Sequence, residues 1–196
     1  MSDFLLYAET GLNHGLSIRS FFLIIFAFAL AIPYSVKDWK KVLGYCLVFS
    51  VGYVLALVLS AFGIVIIKSN IISILIPVTI LIVAFYNLFT AGKAPKKDPG
   101  NLIGFILFFF GVIHGLGFTG YFESLFFGKE SHTVVLLLEF SAGLIAALLV
   151  NMVLFLILSY IIHTFFQFAK RDFVLVLSAF VIGVVVPMIF GNIIWE

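Results

Sequence analysis

The ten residues GVIHGLGFTG, 111 to 120, set an imidazole, His114, among four glycines, Gly111, Gly115, Gly117 and Gly120. An imidazole can titrate near neutral pH or give a lone pair to a borderline metal ion. Glycines beside it let a second backbone come close. His14, Tyr53, Glu139 and Asn151 offer comparable chemistry within otherwise apolar sequence. The single cysteine, Cys46, excludes an internal disulfide and a thiolate cluster within one chain, and reads as a small buried hydrophobe. There is no Walker loop, dinucleotide fingerprint or nucleophile elbow, no sequence repeat stands out, and no enzyme is expected.

Composition dictates the scaffold for these groups. The chain is 64% hydrophobic and 10% charged, with 25 Phe and a mean hydropathy of +1.29. Soluble domains run at about 45–50% apolar and about 25% charged. Lipid is the solvent such a chain suits, and in lipid every backbone group must be satisfied inside a helix or a closed barrel. The apolar runs are continuous rather than alternating, which excludes the barrel. The expected fold is all-α, a polytopic bundle forming one transmembrane domain over residues 1–196. At about 20 residues per span, six helices are predicted, at 16–34, 42–62, 71–89, 102–121, 134–158 and 173–194.

Basic residues orient it. Lys37, Lys40, Lys41, Lys93, Lys96, Lys97, Lys170 and Arg171 fall in loops on one side; Arg19, Lys68 and Lys129 fall on the other. The positive-inside rule makes the richer side cytoplasmic, so both termini are expected outside, with no basic leader to suggest cleavage. The net charge of +2 then reports topology rather than a nucleic-acid partner. His132 and His163 are placed in loops.

Depth brings the polar residues together. His114 lies about 18 Å up the fourth span, Glu139 about 8 Å down the fifth and Tyr53 about 16 Å up the second. In a core of about 30 Å these levels nearly coincide, giving a candidate polar layer of His114, Glu139 and Tyr53. Gly104, Gly111 and Gly115 share one helix face, as do Gly143, Ala147 and Asn151. The sequence therefore predicts a close contact between spans four and five that carries His114 and Glu139, with Gly117 beside it. Buried ionisable groups usually mark a solute path. The alternatives are a neutral His114 bonding a neighbouring helix and an interfacial, snorkelling Glu139.

GVIHGLGF resembles the signature of the HupE/UreJ family of bacterial membrane proteins. The resemblance extends to GLNHGLSIRSFF, FSVGY, AFYNLF and LLLEFSAG, and KDWKKVLG and KRDFVLV are like forms common in Bacteroidota members. It implies an inner-membrane nickel or cobalt permease, with Ni or Co as transported solute and no other cofactor. His114 and His14 stand at presumed ligand positions. The family's Asp-His pair is matched by Ser20 and Phe21, its second-helix His by Tyr53 and its third-helix acid by Ser73. Its fifth-helix Asn, Glu and Gln are matched by Ser141, Ile145 and Leu148. A divalent ion needs several donors in exchange for hydration, so the resemblance implies a degenerate site. Three classes follow: a permease for metal or another small solute; an accessory subunit docking a membrane partner or a second copy in the lipid bilayer; and, least supported, an intramembrane enzyme or haem carrier.

Overall fold

The computed structural model describes residues 3–65, 67–93, 102–118 and 133–194. Seven α-helices account for most of them: α1 (Asp3–Leu16), α2 (Phe21–Ala31), α3 (Trp39–Ala61), α4 (Ser69–Thr90), α5 (Leu102–Gly117), α6 (Thr133–Phe166) and α7 (Lys170–Ile194). No strand occurs among the described residues.

Four helices, α3, α4, α6 and α7, are long and apolar enough to cross a bilayer, and α1 with α2 makes a fifth if the bent pair is one span. At the fourth predicted span the described residues form a shorter apolar helix, the 16-residue α5, about 24 Å long. The part of that prediction beyond residue 118 lies outside the described residues, as does His132. α6 has 34 residues, about 51 Å at 1.5 Å each, and exceeds the predicted 134–158. His163 consequently sits inside α6 rather than in a loop, its ring 4.4 Å from that of Phe173.

The first predicted span needs correction. Residues 16–34 are not one helix: α1 ends at Leu16, Ile18–Ser20 form a 3-10 turn, and α2 leaves at 68°. Ser17 causes the break. Its N–H and its hydroxyl both donate to the His14 carbonyl, at 3.0 and 2.7 Å, closing the helix end. Glu9 and Asn13 are exposed on α1 while Gly11 and Gly15 are buried, so α1 is amphipathic and its apolar run was too broken to register as a span.

Packing is pairwise. α1 lies along α6, α3 along α5, and α4 along α7, with α2 filling against α4 and α6. Phe26, Phe49, Phe140, Leu57, Ile80 and Leu137 are fully buried where these pairs meet. Phe89, Phe105, Phe165, Phe180 and Phe190 face outward, as suits a bundle whose solvent is lipid. Two amide side chains tie the broken pair into the bundle. Asn151 of α6 donates to the Gly15 carbonyl at 3.3 Å, and Asn87 of α4 to the Ala29 carbonyl at 2.7 Å. Each satisfies a carbonyl near a helix C-terminus, which has no partner inside its own helix.

Candidate functional site

His114 occupies the last turn of α5 and is 5% exposed. Its Nε2 lies 3.0 Å from Thr79 Oγ1 on α4. The Thr79 hydroxyl also lies 2.7 Å from the Ile76 carbonyl, to which it donates. A hydroxyl has one proton. Both contacts are satisfied when His114 Nε2–H donates to Thr79 and Thr79 O–H donates to Ile76. That places a proton on Nε2.

Aromatic rings close around the imidazole. Phe26 is 4.9 Å and Phe49 5.4 Å from it, centroid to centroid. Tyr53 stands next along α3, 6.2 Å from Phe49 and 6.3 Å from Phe118. Phe118 meets His14 edge-on at 4.7 Å and stacks on Phe140 at 5.2 Å. A continuous line of rings thus joins the two histidines at the centre of the bundle. His14 is half-buried.

The predicted polar layer is assembled differently. The hydrogen-bond partner of His114 is Thr79, which the sequence reading did not single out. A threonine inside an apolar helix ordinarily returns its hydroxyl to a carbonyl three or four residues back, so the residue type alone gave no signal of this partnership. Tyr53 is close to the imidazole only through Phe49. Glu139 is 9% exposed, and its Oε2 has no partner among the described residues. Ser50, Ser141 and Ser178 are buried with hydroxyls in the same condition. Asn151 holds the end of α1 through its bond to the Gly15 carbonyl. No three His, Cys, Asp or Glu side chains among the described residues form a group that could hold a metal ion.

The predicted contact between the helices of His114 and Glu139 is also corrected. The glycine face of α5 lies on α3: a Cβ on Gly111 would meet the Phe49 carbonyl, and one on Gly115 the Tyr53 carbonyl. Gly143 of α6 lies instead against the Ala8 carbonyl of α1. Gly117 faces the side chains of Ile72 and Ile76 on α4, and Gly104 has nothing within 4 Å, so Gly104 takes no part in a helix contact. The stripes were legible in sequence, but their partners were not, because α1 was not recognised as a helix.

A family model described as HupE / UreJ protein matches residues 1–192. No curated protein and no solved structure gives a significant match.

Proposed function

The chain belongs to the HupE/UreJ family, and from that premise we propose that it is a six-span permease-type protein of the bacterial inner membrane whose nickel or cobalt site is largely degenerate. Two registers support six crossings. Along α3 and α5, Gly111 meets Phe49 and Tyr53 while Gly115 meets Tyr53 and Ala56. Positions advance together, so the two helices run parallel and the chain must cross between them. α1 and α6 are parallel by the same reasoning, from Gly11 and Gly15 against Phe140, Leu144 and Ala147. The eight-to-three split of basic residues then puts both termini in the periplasm. Cysteines at Lys37 and Lys68 should label from opposite faces; labelling from one face would end this topology.

The observation that carries the functional reading is the His114–Thr79 bond inside an aromatic wall. His114 is held as a hydrogen-bonding post, with Phe49 and Phe26 where a metal would need further donors. Gln keeps a donor and an acceptor but cannot titrate or bind Ni²⁺ as imidazole does. His114→Gln should therefore retain folding and the wild-type level of cellular nickel uptake, whereas His114→Ala should lose folding. Uptake lost in both with folding intact would restore a ligand role.

The ring packing around His114 also favours a second reading, a non-transporting accessory subunit that docks a membrane partner or a second copy. Measuring metal in detergent-purified protein separates the two. Stoichiometric nickel supports the permease, and a metal-free protein that retains a co-purifying subunit supports the accessory role. We assign no enzymatic activity.

A further inference from the structure

Two segments recur in the chain. GLNHGL at 11–16 in α1 matches GVIHGL at 111–116 in α5, and FSVGYVLAL at 49–57 in α3 matches FSAGLIAAL at 140–148 in α6. Neither match is long enough to be persuasive alone. The contacts make them so, because matched residues touch matched residues. Gly11 lies on the Phe140 carbonyl as Gly111 lies on that of Phe49. A Cβ on Gly15 would stand 2.6 Å from the Ala147 Cβ, and one on Gly115 would stand 2.9 Å from the Ala56 Cβ. Gly143 meets the Ala8 carbonyl as Gly52 meets that of Phe108. The absence of a repeat, expected from sequence, is thereby corrected.

Each half thus contributes a GxxHG helix that packs on the FSxG helix of the other half. Each half crosses three times in the six-span topology, an odd number, so the second half runs inverted. Inverted repeats built with interrupted helices place solute sites at their interface and open by rocking one repeat against the other. Here the two halves are in different states. His114 is shut in by Thr79, Phe26 and Phe49, whereas His14 is half-buried against Phe118.

We propose that the chain is an inverted duplication whose halves exchange these two states, so that His114 opens as His14 closes. As a transport cycle this rests on the permease reading; the exchange itself can be measured without any solute. Ser50 and Ser141 occupy matched positions, at 4% and 2% exposure, and serve as isosteric reporters. In a Cys46→Ser background, Ser50→Cys and Ser141→Cys are labelled with N-ethylmaleimide in membranes, with and without Thr79→Val. Removing the bond that shuts in His114 should speed Ser50→Cys labelling about fivefold and slow Ser141→Cys labelling by a similar factor. Changes in the same direction, in one reporter alone or in neither would overturn the exchange.

A second measurement stands whether or not Thr79→Val folds. The pairs Gly15→Cys with Ala147→Cys and Ala56→Cys with Gly115→Cys should both oxidise to intramolecular cross-links, since their Cβ separations lie within about 1 Å of that of a disulfide, although the second pair must also displace the Tyr53 carbonyl that a Cβ on Gly115 would meet. Cross-linking of one pair and not the other would overturn the duplication. If labelling and cross-linking follow expectation while cells expressing the wild type gain no nickel, the permease reading falls and the exchange stands.

Discussion

The crossing of α3 with α5 and that of α1 with α6 use the same backbone contacts and carry different chemistry. Phe49, Gly52 and Ala56 on α3 correspond to Phe140, Gly143 and Ala147 on α6. At three other matched positions the residues diverge: Val48 against Glu139, Tyr53 against Leu144 and Ser60 against Asn151. The shared positions are those at the helix contact. Gly52 and Gly143 leave no room for a side chain, Phe49 and Phe140 offer their carbonyls to a glycine of the paired helix, and Ala56 and Ala147 their Cβ atoms. The divergent ones ask only that a side chain find some partner. Shape is therefore fixed at the glycines, and chemistry is free to vary one residue away.

Filling a glycine gives the largest expected effect. Gly111→Leu and Gly143→Leu would each drive a side chain into a carbonyl of the paired helix, and overpacking costs about 1–3 kcal/mol even where neighbours can shift. Backbone cannot shift so easily, so both variants should lose folded protein in detergent. Gly104→Leu, with nothing within 4 Å, should melt like the wild type. A Gly143→Leu protein that melts normally would break the equivalence of the two crossings.

The divergent positions make a second test. Glu139 Oε2 is buried without a partner among the described residues, where α3 carries Val48. Leaving a buried polar group unsatisfied costs about 1–3 kcal/mol, and more for a charged one. Glu139→Val should accordingly stabilise the protein by about that amount on thermal melting, while removing any role Glu139 has in the solute path. A lower melting temperature would show that the carboxylate is held. Asn151→Ala should act the other way and more weakly. Losing the donor to Gly15 costs about 1 kcal/mol, and Asn151→Ser, which copies the matched Ser60, should recover part of it.

The same contrast explains how far the sequence could be read. Long apolar runs need no partner to be recognised, so α3, α4, α6 and α7 were predicted within a few residues, α6 at its C-terminal end excepted. α1 was missed because Glu9, Asn13 and His14 break its run of apolar residues in sequence, and the break at Ser17 depends on a side-chain hydrogen bond that hydropathy does not register. His114 was visible as an ionisable group in an apolar helix. Thr79 was not, since a threonine gains meaning only from the imidazole opposite. The duplication hid in spacing: Phe49 follows His14 by 35 residues and Phe140 follows His114 by 26. A repeat with unequal connections becomes evident only when matched contacts align it.

Those unequal connections supply the smallest test. In the first half, Ser35 and Asp38 form a cap before α3: the Ser35 N–H donates to Asp38 Oδ2 at 2.9 Å and its hydroxyl at 2.8 Å. At the position matched to Asp38, the second half has Lys129, which cannot accept such bonds. The backbone N–H of Ser35 is the main cause holding the Asp38 carboxyl below its ordinary range, with the Ser35 hydroxyl and the charges of Lys170 and Lys41 adding to it. A depressed carboxylate stabilises the fold above its unfolded value of about 3.9, and that contribution is lost as pH falls through the lower folded value. Asp38→Asn should thus cost about 0.5–1 kcal/mol at neutral pH, in the range of a lost helix cap. The difference in melting temperature between wild type and variant should stay constant down to about pH 5 and shrink steadily below about pH 4. A difference for Asp38→Asn that persists unchanged at pH 2 would mean that the cap acts through packing rather than through the carboxylate charge.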